Sequence, residues 1–190
     1  MNAFAKIRFF LILPLVCAVF FSCDPTEELP PELMLDYGGV QLFGDSTRLT
    51  EIQLQIRFQK GNGNFGLNNP DVDHPPFVGK YAYNLYLYPL DRVSLSDTVY
   101  ELFQVPNIET GDMEDVVYRY RIRPLGTNSK ASVKGTFDFT LHGSELEGLQ
   151  INSTHGVVQF KIYAYSRDIQ ANGVDLEQSN IIITPDISIR

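Results

Sequence analysis

Apolar and polar residues alternate strictly over several stretches of the chain. Ile52, Leu54, Ile56 and Phe58 alternate with Gln53, Gln55, Arg57 and Gln59. Tyr81, Tyr83, Leu85 and Leu87 alternate with Ala82, Asn84, Tyr86 and Tyr88. The same period runs through Val116–Arg123, Val133–Leu141 and Val157–Ala164. A period of two sends successive side chains to opposite faces of a pleated strand, so each run predicts a strand with one buried and one wet face. Fainter runs predict further strands over 39–43, 98–104 and 180–189. No segment sustains an apolar pattern at helical spacing, and Ser144–Glu147 reads as a helical turn within a connection. Seven or eight short strands separated by clusters of Gly, Asn, Asp and Pro predict an all-β antiparallel sandwich. Without alternating strand and helix patterns, doubly wound nucleotide-binding folds and β/α barrels are excluded.

The first residues break this pattern. Lys6 and Arg8 precede an apolar run from Phe9 to Phe21, which ends in Ser22-Cys23. The run is shorter than the roughly 20 residues a membrane-spanning helix needs, and it has the layout of a secretory signal peptide. Phe20-Phe21-Ser22-Cys23 resembles the lipobox of bacterial lipoproteins, with Phe where Leu or a small residue is common. That resemblance implies cleavage before Cys23 and acylation of Cys23, palmitate included. An ordinary cleaved signal or an uncleaved anchor is the competing reading. Three prolines and four acids fill residues 24–32, a composition that favours an extended tether. The expected organisation is therefore a signal peptide over 1–22, a lipidated Cys and acidic tether over 23–36, and one β-sandwich domain over 37–190.

Charge narrows the partners. Fifteen Lys and Arg face 23 Asp and Glu, for a formal net charge of −8. Nucleic-acid binding needs clustered positive charge and is not expected. Two Cys and three His exclude a multi-Cys zinc site and a disulfide framework. No nucleophile elbow or HExxH spacing is present, and the one Cys of the mature chain is expected to be acylated. The chain therefore reads as a non-enzymatic protein. Glu109, Asp112, Glu114 and Asp115 form an acidic cluster that serves hydrolysis only if two carboxylates face each other across a cleft; a solvated loop is the competing reading.

Two further groups suggest binding. Tyr81, Tyr83, Tyr86 and Tyr88 form a candidate stacking platform for a glycan, against the alternative of core and cross-strand packing. Arg119, Arg121 and Arg123 share one strand face and form a candidate patch for phosphate or a sulfated glycan, against the alternative of a charge-balanced sheet surface.

The stretch 60–80 is long for a hairpin loop. Its start, Phe58-Gln59-Lys60-Gly61-Asn62-Gly63-Asn64-Phe65-Gly66-Leu67, is followed by Asp71 and Asp73 and then by Asn84-Leu85-Tyr86-Leu87-Tyr88. This resembles a block in uncharacterised Bacteroidetes-type lipoproteins that reads roughly Phe-x-Asp-Gly-Asp-Gly-Asp-Ile-Gly-Leu. Ile162–Asp168 and Ser179-Asn180 are similar to the family's C-terminal pattern. The resemblance implies an immunoglobulin-like β-sandwich and no known activity. In those relatives Asp stands where this chain has Lys60, Asn62 and Asn64. Alternating carboxylates suit a hard cation; here a weakened Ca²⁺ site would draw on Asn62, Asn64, Asp71 and Asp73, and no other cofactor is expected. A structural turn built on Asn and Gly is the competing reading. The acids behind Cys23 resemble the surface-export signal of such lipoproteins. Asp45-Ser46-Thr47 and Asp97-Thr98-Val99 resemble O-glycosylation triplets, with Ser46 and Thr98 as the acceptors.

Together these readings predict a lipid-anchored protein of the outer membrane, on the cell surface or alternatively on its periplasmic face. It would bind or scaffold an unknown protein or glycan; the alternative is a glycan- or ligand-binding accessory lipoprotein of an uptake system.

Overall fold

The computed structural model describes residues 28–45, 48–124, 131–173 and 175–190. In chain order its strands are β1 (Met34–Gly44), β2 (Leu49–Lys60), β3 (Leu85–Arg92), β4 (Tyr100–Leu102), β5 (Gln104–Pro106), β6 (Met113–Asp115), β7 (Tyr118–Tyr120), β8 (Val133–His142), β9 (Val157–Ile169), β10 (Leu176–Gln178), β11 (Ile182–Ile183) and β12 (Ile187–Ser188). One α-helix, α1 (Gly143–Asn152), joins β8 to β9.

The strands form two main antiparallel sheets and a small hairpin, β5–β6. The first sheet has the order β1-β2-β8. Its inner face follows from the alternation in β2: Ile52, Leu54 and Ile56 are fully buried opposite Leu141, Phe139 and Phe137. Phe58 lies opposite Gly135, where a Cβ would stand 2.9 Å from the Phe58 ring. The space left by that glycine lets Phe58 stack on Phe137, with ring centroids 4.3 Å apart.

The second sheet is built on β3 and β9, with β4 and β7 on the far edge of β3 and β10, β11 and β12 along the far edge of β9. Leu85 and Leu87 of β3 and Val158, Phe160, Ile162 and Ala164 of β9 are fully buried and meet the first sheet in one hydrophobic cluster. Each such side chain stabilises the fold by about 1.5–3 kcal/mol relative to exposure, apart from the smaller Ala. The result is the all-β antiparallel sandwich that the alternation predicts.

Several elements differ from the sequence reading. The helical turn at 144–147 extends to ten residues, because Leu146 and Leu149 lie three apart and both reach the core. The predicted strand 180–189 is two dipeptides, since Pro185 has no N–H to donate and Thr184 bonds Phe160 through its main-chain N–H and its hydroxyl. The strand over 116–123 shortens to Tyr118–Tyr120. The 23–36 tether also ends earlier than expected. Leu33 and Leu35 are buried in the core and β1 begins at Met34, so the packed chain starts before residue 37.

Candidate functional site

The outer face of the β3–β9 pair carries the largest group of aromatic contacts outside the core. Tyr86 and Tyr88 point outward from β3 because Leu85 and Leu87 point in, and Tyr163 and Tyr165 do the same on β9. Register places Tyr86 opposite Tyr163. The Tyr86 and Tyr163 rings stack at 5.4 Å and 11°, and Tyr88 stacks on Tyr163 at 5.9 Å and 18°. Tyr165 meets Tyr163 edge-on at 5.7 Å and Tyr86 edge-on at 5.8 Å. These rings, with Tyr83, Gly79, Lys80 and Arg119, line a cleft of about 430 Å³, within the size range of small-ligand sites.

Only part of the predicted platform takes this form. Tyr83, Tyr86 and Tyr88 line the cleft, Tyr86 almost fully buried in its wall, whereas Tyr81 is buried and takes no part in the lining. The alternation continues a strand back to Tyr81, but Gly79–Ala82 forms a 3₁₀ turn instead. The Asn84 side chain fixes this change by bonding both the N–H and the C=O of Ile122. Tyr81 then packs edge-on against Tyr165 at 5.0 Å and donates its hydroxyl to Asp175 at 2.6 Å. Tyr163, Tyr165, Lys80 and Arg119 are cleft residues that the platform reading missed. The outward parity of Tyr163 on its strand was the available signal.

The cleft is polar at its rim. Burial pushes the Tyr86 hydroxyl up to about 12, and burial raises Tyr163 and Tyr165 as well, Tyr163 further through its hydrogen bond with Tyr88. These groups therefore remain O–H donors at neutral pH. Arg119 lies opposite Tyr86 on β7, and the Arg121 guanidinium sits 5.7 Å from the Tyr83 ring centroid. Arg121 also donates to the Ala82 carbonyl at 3.0 Å. Arg123 diverges from this pair and borders a separate hollow with Asn68–Asp71.

The residues suggested for Ca²⁺ do not converge. Asn62 and Asn64 both donate to Asp168, Asn62 at 2.8 Å. Asp71 instead takes a two-pronged contact from Arg167, at 2.6 and 3.2 Å. Asp73 is exposed at the end of the 3₁₀ turn Asn69–Asp73. Among the described residues no group of three or more His, Cys, Asp or Glu is placed to hold a metal ion. A cation of the chain itself sits in this region. Lys60 is fully buried, with Nζ 2.7 Å from Asp168, 2.8 Å from Glu177 and 2.9 Å from the Pro31 carbonyl. Burial alone would raise the Asp168 carboxyl, but Lys60, Asn62 and Asn64 outweigh it and hold Asp168 below its ordinary value. Gly61 donates its N–H to the Pro30 carbonyl at 2.6 Å, so the end of the tether is held at the same place.

The remaining candidates are dispersed. Glu114 and Asp115 accept from Asn107 and Gln104 on the exposed β5–β6 hairpin. Thr98 is exposed in the loop before β4. Cys23 and Ser46 lie outside the described residues. No helix among the described residues is long and apolar enough to cross a membrane. No protein family, curated protein or solved structure was found to match the chain.

Two measurements check this geometry. Lys60→Ala leaves Asp168 and Glu177 without their shared cation, and urea unfolding is expected to show a loss of about 3 kcal/mol, the low end for a broken buried pair because both carboxylates keep some contact with water. A loss under about 1 kcal/mol would contradict the network. Absorbance titration of the folded protein is expected to show a late tyrosine fraction near pH 12, with Tyr86 in it. The raised folded value means this stabilisation is complete below the ordinary value of about 10 and is lost as pH rises through about 12. A single transition near 10 in the native state would contradict the cleft's burial.

Proposed function

We propose that this chain is a lipid-anchored, non-enzymatic binding module of the bacterial outer membrane, and that its tyrosine-lined cleft holds a glycan. The observation that carries the binding reading is the grouping of Tyr83, Tyr86, Tyr88, Tyr163 and Tyr165 around one cleft, on a sheet face the core does not need. Rings supply C–H contact surface to a sugar, and phenols supply hydrogen bonds to its hydroxyls. The anchoring reading rests on Ser22-Cys23 at the end of the apolar run and on the acidic segment behind it. A packed chain that begins at Leu33 leaves a short tether between Cys23 and the domain, which supports a site held close to the membrane. The resemblance to surface-exported lipoproteins favours the outer face. A glycan-binding accessory of an uptake system fits the same cleft, and a protein scaffold is the reading that the cleft makes less economical.

Two experiments test the proposal. Cys23→Ser is expected to abolish metabolic labelling with a palmitate analogue and to move the protein from the membrane to the soluble fraction. Unchanged labelling and fractionation would overturn the anchor. Calorimetry against a panel of oligosaccharides is expected to find binders, and Tyr88→Ala and Tyr83→Ala are each expected to weaken binding about fivefold to tenfold, the loss of roughly one aromatic contact. Affinities unaffected by both substitutions would place any glycan site elsewhere.

A further inference from the structure

The cleft has a charge as well as a shape. The chain carries a net −8, so its overall field repels anions, yet three cations at this face have no carboxylate partner among the described residues. Arg119 lines the cleft and makes no ion pair with any described carboxylate. Arg121 spends its donors on the Ala82 carbonyl and the Asn69 side chain, which are both neutral. Lys161 lies opposite Tyr88 on the same outer face, also without a carboxylate partner among the described residues. Lys80 is the exception, with Asp175 at 3.3 Å, and Asp175 is shared with the Tyr81 hydroxyl. Three uncompensated cations around neutral hydroxylated rings select for a ligand that brings its own negative charge.

We infer that the cleft takes an acidic saccharide, one that places carboxylate or sulfate groups against Arg119 and its neighbours while its rings lie on the tyrosines. The inference rests on the glycan reading above and adds the ligand's charge. A saccharide is favoured over an acidic peptide because the cleft opposes ring surface to the ligand, the Tyr86 hydroxyl being held by the Lys80 carbonyl and those of Tyr88 and Tyr163 by each other. The Tyr86, Tyr163 and Tyr165 phenols do not oppose an anion, since burial raises each above its ordinary value.

The test is calorimetry of the full folded domain with four probes of similar length: trigalacturonate, a sulfated heparin trisaccharide, maltotriose and triglutamate. The carboxylated or the sulfated sugar is expected to bind at least tenfold more tightly than maltotriose at 50 mM salt, with the advantage shrinking at 500 mM; which of the two leads identifies the anionic group. Arg119→Gln is expected to bring the acidic sugar's affinity down toward that of maltotriose, while Arg57→Gln, on the other sheet, leaves every affinity unchanged. Circular dichroism of each variant confirms its fold. Maltotriose binding as tightly as the acidic sugars would overturn the charge inference and leave the glycan reading standing. Triglutamate binding as tightly as the acidic sugars would overturn the saccharide assignment. No binding by any sugar would overturn both readings.

Discussion

β3 and β9 pair antiparallel with Leu87 opposite Ile162 and Tyr86 opposite Tyr163, and both the core and the cleft depend on that register. Leu85, Leu87, Val158, Phe160, Ile162 and Ala164 point inward and are fully buried, so a slip by one position would exchange them with tyrosines, a glutamine and a lysine. The cost of exposing Leu85, Leu87, Phe160 and Ile162 fixes the pairing. Once it is fixed, the outward tyrosines have no freedom to be elsewhere, and the stacked group follows. The cleft is thus the reverse side of the hydrophobic core, and its rings are held by the strands that build it.

A second constraint ties the tether to the fold. Lys60 continues the inward parity of Ile56 and Phe58, and its ammonium ends among Asp168, Glu177 and the Pro31 carbonyl. A buried ammonium is costly unless its partners are complete; two carboxylates and a carbonyl meet that need here. The same contact fixes where the chain leaves the domain toward Cys23.

Much of the fold is legible in the sequence because the long strands repeat their pattern often enough to be read. β2, β8 and β9 each offer at least four alternating pairs. Strands of two or three residues, such as β10 and β11, cannot show a period and are set by the neighbour they pair with. The tyrosine run was read one turn too far because the break at Asn84 is made by a side chain bonding Ile122, a contact between distant segments. Leu33 and Leu35 were hidden behind the prolines that precede them. For the site, Tyr86, Tyr88 and Arg119 were each visible as outward residues of a strand. That Tyr163, Tyr165 and Arg119 belong beside them depends on strand order, which alternation does not encode. That Asn62 and Asn64 turn to Asp168 was hidden in the same way, since it lies over a hundred residues away.

The most direct test of the account is solution NMR with the tyrosine rings selectively labelled, titrated with trigalacturonate. The account predicts that the ring signals of Tyr83, Tyr86, Tyr88, Tyr163 and Tyr165 shift in a saturable way, while Tyr37 and Tyr100, which lie outside the cleft, stay in place. Saturable shifts confined to Tyr37 or Tyr100, or none in the five cleft rings, would contradict it.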